Sequence, residues 1–200
     1  MYTPKHFTNS DHQEVRRFIK ENAFGMLVTS GDRLRATHLP LLMSDDEKIL
    51  SGHIARANPQ TKVISSLDEV MVIFPGPHAY ISSSWYDHEN VPTWNYIAVH
   101  VYGKPRVIEG NELYEALRKI VDKYEESSES PVSVERMNAK YLDAQMKAIV
   151  GFEITITSIE ASYKLSQNRN DFNYVNIVKH LEKSKSANAL AVAAEMKKRR

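Results

Sequence analysis

Pro75-Gly76-Pro77-His78-Ala79-Tyr80-Ile81-Ser82-Ser83-Ser84-Trp85-Tyr86-Asp87-His88-Glu89-Asn90-Val91-Pro92-Thr93-Trp94-Asn95-Tyr96-Ile97-Ala98-Val99-His100-Val101-Tyr102-Gly103 is the stretch on which the fold turns. It holds both tryptophans of the chain, with Tyr80, Tyr86, Tyr96 and Tyr102. The aliphatic run Val70-Met71-Val72-Ile73-Phe74 leads into it and reads as a buried strand. Pro75-Gly76-Pro77 is expected to end that strand. A short strand follows at 78–82, then a polar loop at 87–90, then a second strand at 94–102. The result is a β-rich aromatic wall carrying polar groups, a surface able to hold a flat organic ring. The same residues suit an ordinary barrel core rimmed by tyrosines, because aromatic side chains dominate such cores too.

Working outward toward the N-terminus, Asp11 is placed to cap a helix over 11–22, with Val15, Phe18 and Ile19 at helical spacing. Residues 24–30 and 34–43 read as strands around a Gly31-Asp32 turn, with Pro40 demoting its run to an edge or bulge. A third strand is expected at 49–54. Asn58 then caps a helix running to about Leu67, with Pro59 at the first helical position, where a missing N–H costs nothing. Toward the C-terminus, 105–109 continues as β, and Asn111 caps a helix ending near Tyr124. Further helices are expected at 138–149 and 174–181, and residues 166–173 as a polar loop. Residues 150–165 form a long strand in which Phe152, Ile154 and Ile156 alternate with Glu153, Thr155 and Thr157. Adjacent strands with helices inserted between groups predict an α+β barrel in one domain, 1–183, followed by a basic tail at 184–200 that is either a frayed helix or disordered.

Composition narrows the chemistry. With no cysteine, the chain has no disulfide, thiolate nucleophile or thiolate metal ligand. No apolar run approaches the roughly 20 residues of a membrane helix. The N-terminus lacks a signal peptide's apolar segment, and a cytoplasmic location is expected. The net charge is +1, although Lys179 to Arg200 alone carries +5. Eight histidines include no His-Glu-x-x-His pair, and no metal site is expected. Ser82-Ser83-Ser84 lacks the Gly-x-Ser-x-Gly frame of a serine hydrolase, and no strand is followed by the Gly-rich turn of a dinucleotide fold. No helix-turn-helix is present, and Lys197-Lys198-Arg199-Arg200 reads as a solvated end whose contact with DNA phosphates would be non-specific. The segment Gly52-His53-Ile54-Ala55-Arg56-Ala57-Asn58-Pro59-Gln60 is a strand delivering a helix start with Arg56 beside it. That arrangement suits an anion, and it equally suits a capped surface helix with a solvated arginine.

Several segments together resemble the PaiB family, the FMN-binding split-barrel proteins that act as negative transcriptional regulators of protease synthesis and sporulation. They are Ala36-Thr37-His38-Leu39-Pro40-Leu41, Gly52 to Pro59, Gly76 to Ser82 with Trp85-Tyr86, Val91-Pro92-Thr93-Trp94-Asn95-Tyr96, and Lys164-Leu165-Ser166-Gln167-Asn168-Arg169. The resemblance implies a homodimeric split β-barrel related to pyridoxamine phosphate oxidase, with flavin clefts at the subunit interface. It places Thr37, His38 and Leu39 beside the flavin ring and His53, Arg56 and Asn58 near the ribityl phosphate. Ser82, Ser83, Trp94 and Asn95 complete the cleft, and Lys164, Gln167 and Arg169 come from the same or the partner chain. The chain departs from the family pattern at Asn170-Asp171-Phe172-Asn173 and at Ser83, where proline is usual. The resemblance implies a flavin-binding regulator working through DNA or a regulatory partner, with an FMN-dependent oxidoreductase as the alternative. Another planar ligand, such as haem, would suit the same cleft. No side chain stands out as a catalytic acid or base; His38, His78 and Tyr80 qualify by type and location only.

Overall fold

The computed structural model describes all residues, Met1 to Arg200. Seven strands, β1 (Phe24–Thr29), β2 (Arg35–Pro40), β3 (Leu42–Met43), β4 (Ile49–Ala55), β5 (Val70–Ile81), β6 (Thr93–Ile108) and β7 (Ile149–Lys164), form one sheet in the order β2-β1-β5-β6-β7-β4-β3. The β1–β2, β1–β5, β3–β4 and β4–β7 ladders are all antiparallel. Five helices accompany them: α1 (His12–Glu21), α2 (Gly110–Glu125), α3 (Ala139–Lys147), α4 (Asp171–Glu182) and α5 (Ala187–Lys197).

Four local expectations are corrected by the structure. Pro75-Gly76-Pro77 does not end a strand, since β5 runs through it. Two residues apart, the prolines turn their missing N–H groups to one edge, and the β1 ladder stops at Ile73, so no β1 ladder bond is lost beyond it. Gly76 allows a close approach there, because a Cβ would stand 2.8 Å from Ile97 Cβ and 2.9 Å from Phe18 Cζ. The expected helix over 58–67 is instead two 3₁₀ turns, Pro59–Lys62 and Ile64–Ser66. Asn58 caps the first as expected, accepting from the Gln60 N–H at 2.9 Å, but Gln60 then buries its side chain, which holds the chain in a tight turn. Helix α2 starts one residue before Asn111, on Gly110 at φ +56°, a left-handed conformation glycine takes readily. Helix α4 starts three residues early because Asn170 caps it, accepting from the Asn173 N–H at 2.9 Å.

The chain forms two compact units, each gathered from separate stretches. One comprises Met1–Phe18, Phe74–His100 and Glu160–Arg200. Its core includes Phe7, Val15, Phe18, Ile81, Ile97, Tyr163, Tyr174 and Met196. Asp11 caps α1 through the N–H groups of Gln13 and Glu14, both at 3.0 Å. Residues 184–200 are not a loose end. Ser186 caps α5, Val192, Ala193 and Met196 are buried, and Tyr174 Oη donates to the Met196 carbonyl at 2.7 Å. The basic residues at its end are paired with Glu182 (Lys197, 2.9 Å), Glu195 (Lys198, 2.6 Å), Glu14 (Arg199, 2.5 Å) and Asp171 (Arg200, 2.6 Å).

The other unit comprises Ile19–Ile73 and Val101–Ile159. Its core includes Leu27, Leu39, Leu41, Leu50, Ile64, Val72, Ile108, Phe152 and Ile154. Leu39 and Leu41 close over Gly52, where a Cβ would stand 3.2 Å and 3.1 Å from their side chains. On its surface, Glu112 and Glu153 both hold the Arg106 guanidinium and keep it firmly protonated, at 2.8 and 2.5 Å. Surface pairs of this kind contribute little to stability.

Candidate functional site

In the second unit, β2 and the 58–62 turn are tied together by one polar cluster. Thr37 stands on β2, and its Oγ1 donates to Gln60 Oε1 while accepting from Asn58 Nδ2 at 2.9 Å. Gln60 Nε2 in turn donates to Thr29 Oγ1 at 3.0 Å and to the Leu27 carbonyl at 3.3 Å. Gln60 is 0 % exposed, yet its side-chain amide meets partners on both β1 and β2. An uncompensated buried amide costs several kcal/mol, on the order of 2–7, so this bonding is what makes the burial tolerable. The sequence motif contains Gln60, but only the tight turn reveals its inward course.

The cluster brings together two of the residues expected near a flavin. Thr37 and Asn58 are bonded to each other, and His38 and Leu39 follow Thr37 on the same strand. Strand β2 ends the sheet, so one row of its backbone N–H and C=O groups faces away from any ladder. His38 is exposed and stacks on Phe24 with ring centres 6.3 Å apart. Leu39 is a core residue, so it offers a ligand only its backbone. His53 is half-buried on β4, and burial holds its imidazole below the usual histidine range, hence neutral near pH 7. Arg56 follows the end of β4. Its Nε donates to the Lys147 carbonyl at 2.7 Å and one terminal nitrogen to the Ile149 carbonyl at 2.8 Å. Two directions of its fork are therefore used by the fold, and the other terminal nitrogen is the part left to an anion.

The remaining expected residues lie in the first unit and serve unlike purposes. Ser82 caps the 83–85 turn, accepting from the Ser84 N–H at 3.2 Å, and Ser83 is half-buried beside it. Asn95 is 0 % exposed and accepts from Ser166 Oγ at 3.1 Å. Gln167 closes its own loop, accepting from the Leu165 N–H at 2.7 Å and donating to the Tyr163 carbonyl. Lys164 donates to Thr93 Oγ1 at 2.6 Å, and the Arg169 guanidinium sits 5.0 Å from the Tyr86 ring centre. Trp94 differs from all of these: it is 52 % exposed, with Tyr80 (48 % exposed) edge-on at 5.9 Å and His78 at 6.1 Å. These three line a cavity of about 390 Å³ with Trp85 and His180, which stack at 4.9 Å with 2° between their planes. His180 carried no signal in the sequence that would have brought it here. No group of three or more His, Asp or Glu side chains is disposed to hold a metal ion.

The donor set in the second unit fits a flavin mononucleotide. An unpaired β-edge would offer alternating donors and acceptors to the polar edge of the ring, and the free Arg56 nitrogen and the His53 imidazole would each offer a donor to a phosphate. Known proteins point the same way. The family described as "Putative FMN-binding domain" matches residues 1–158. Protease synthase and sporulation protein PAI 2 of Bacillus subtilis is 45 % identical over 98 % of this chain and 96 % of its own length. Among solved structures, the flavocytochrome Anf3 of Azotobacter vinelandii aligns with a TM-score of 0.64 at 13 % identity, over 87 % of this chain and 78 % of that one. The FAD and heme binding protein of Mycobacterium smegmatis aligns with the same TM-score at 10 % identity, over 84 % and 78 %. At such identities the structural matches speak for the split-barrel fold alone.

Proposed function

The chain belongs to the PaiB family of FMN-binding split-barrel proteins, and from that membership we propose that it binds FMN and acts as a negative regulator of protease production and sporulation. Flavin is the cofactor that the family carries. The observation that bears most weight is the Thr37–Asn58–Gln60 cluster, because it joins the segment expected at the ring to the segment expected at the phosphate. The backbone of Thr37, His38 and Leu39 would hold the ring edge, and His53, the remaining Arg56 nitrogen and Asn58 the ribityl phosphate. Lys164 and Arg169 keep cationic groups that could join from a partner copy, and Ser82 and Ser83 hydroxyls. Asn95 and Gln167 support the fold around them instead. Bound flavin supplies one- and two-electron redox chemistry, while this chain supplies position and electrostatic field.

The regulatory role comes from the Bacillus relative's name. The paired charges of Lys197 to Arg200 favour action through a metabolite or protein partner over direct DNA contact by the tail. A homodimer in the cytoplasm completes the proposal, to be checked by light scattering and fractionation; no helix is long and apolar enough to cross a membrane.

The decisive test is an FMN titration followed by flavin fluorescence and absorption. One FMN per chain with micromolar or tighter affinity is expected. Arg56→Ala should weaken it by about 1.5–3 kcal/mol, the worth of a charge-assisted hydrogen bond. No binding at tens of micromolar FMN would overturn the flavin reading, and unchanged affinity in the variant would remove Arg56 from the site.

A further inference from the structure

The chain has two tryptophans, and both line the same cavity. Its floor is the outer face of β5 and β6, where His78, Tyr80 and Trp94 stand side by side. Its opposite wall comes from the end of α4 and the start of α5, with His180, Leu181, Ser184, Ser186, Asn188 and Ala189. The Trp85–His180 stack adds a wall of its own, and it is held from behind. Asn176 Nδ2 donates to the Trp85 carbonyl at 2.6 Å, and Asn173 bonds Asp87 twice, at 2.8 and 3.1 Å. The wall is therefore built before any ligand arrives. A cavity of about 390 Å³ falls within the range of small-molecule sites, roughly 300–1,000 Å³.

Leaving Trp94 and Tyr80 half exposed in a concavity keeps apolar surface in water, as binding sites do. The rings call for a flat partner, since stacking on Trp and Tyr faces favours planar π-systems. The rest of the lining defines the charge. No Asp or Glu lines the cavity, so nothing there compensates a cation, and no Lys or Arg does so for a phosphate or carboxylate. What remains are neutral donors and acceptors: the Tyr80 and serine hydroxyls, the Asn188 amide and two imidazoles.

We infer that this slot binds the neutral, planar heteroaromatic ring of a small molecule, with the ring stacked on Trp94 and its polar edge met by Tyr80, Ser184, Ser186 or Asn188. This departs from the flavin reading at Trp94, which the resemblance places in the flavin cleft and which here lines a slot that shares no residue with the Thr37–Asn58–Gln60 cluster.

Nicotinamide and its carboxylate counterpart nicotinate are matched probes, nearly identical in shape and different in charge. Each is titrated into the full-length protein, with and without FMN, and tryptophan emission is read with calorimetry beside it. Nicotinamide should quench saturably and bind more tightly than nicotinate. Trp94→Ala should weaken nicotinamide about tenfold or more, the usual effect of removing one stacking partner. Circular dichroism checks that the variant folds. Equal or tighter binding of nicotinate, no saturable binding of nicotinamide, or undiminished binding in Trp94→Ala would each overturn the inference. Loss of FMN binding in Trp94→Ala would also overturn it, because the slot would then be the flavin's own. If the protein binds nicotinamide but no FMN, the slot stands and the flavin reading falls.

Discussion

The cluster around Gln60 and the slot around Trp94 use their side chains in opposite ways. Gln60 is wholly buried, and its amide meets partners on both β1 and β2. Trp94 and Tyr80 are large, apolar and about half exposed, and their ring contacts leave a concave surface open. A buried polar group with every partner in place fixes one conformation, because each alternative leaves a donor or acceptor bare. An exposed aromatic face fixes little of its own fold and keeps free energy in reserve for a ligand. The first unit thus leaves aromatic surface open in a concavity, while the second fixes β2 against the 58–62 turn through an internal lock.

Breaking the lock should produce the largest effect. In Gln60→Leu, the side-chain volume is roughly kept while Thr37 Oγ1, Thr29 Oγ1 and the Leu27 carbonyl each lose their bond to Gln60. Stability should fall by about 3 kcal/mol, since each stranded buried group costs about 1–3 kcal/mol and some relaxation offsets the sum. Urea unfolding measures this directly, and a loss below about 1 kcal/mol would show that the cluster does not hold the turn. FMN affinity should fall with it if Thr37 and Asn58 position the flavin segments.

A sharper version of the comparison lies within two consecutive residues of β6. Trp94 and Asn95 face opposite sides of the sheet, as neighbours on a strand must. Asn95→Ala strands Ser166 Oγ and the Met196 contact in the core and should cost about 2 kcal/mol. Trp94→Ala should change stability by less than about 1 kcal/mol, because half of that side chain is already in water. If the two variants proved equally destabilising, the division between a structural and a ligand-facing residue on this strand would fail.

That alternation explains how much could be read beforehand. Most of the strands, the Asp11 and Asn58 caps and the central position of the aromatic stretch are written in periodicity and capping chemistry. Of the residues that the resemblance names, Thr37 and Asn58 are bonded to each other. Which member of a motif faces a ligand was not legible. Trp94 and Asn95 look equally eligible in sequence, and only sheet orientation separates them. The persistence of β5 through Pro75 and Pro77 depends on where the β1 ladder stops, a fact set by another strand. His180 enters the slot because α4 lies against the 83–85 turn, and no local pattern encodes that distant packing. The order in the tail likewise depends on Glu14 and Asp171, far away in sequence.

The smallest effect concerns His53, a half-buried group in the second unit whose burial is not fully matched by charge. Desolvation lowers its pKa in the folded chain below the ordinary value of 6.5. The unfolded chain therefore takes up the proton first as pH falls. The sign follows: the unfolded state binds more protons between the two pKa values, so stability rises with pH there and declines as pH drops through 6.5 and below, until the folded imidazole is protonated too. His53→Gln keeps a polar side chain without the titration and should flatten this part of the stability profile, read as urea midpoints at a series of pH values. A profile unchanged by the substitution would mean that His53 is solvated like an ordinary surface histidine. Bound FMN tests the same residue from the other side. If a phosphate dianion lies beside the imidazole, its charge favours the protonated form and raises the pKa again. The acid-side loss should then be smaller in the FMN-loaded protein than in the free one, beyond the uniform stabilisation that any ligand of the folded state brings.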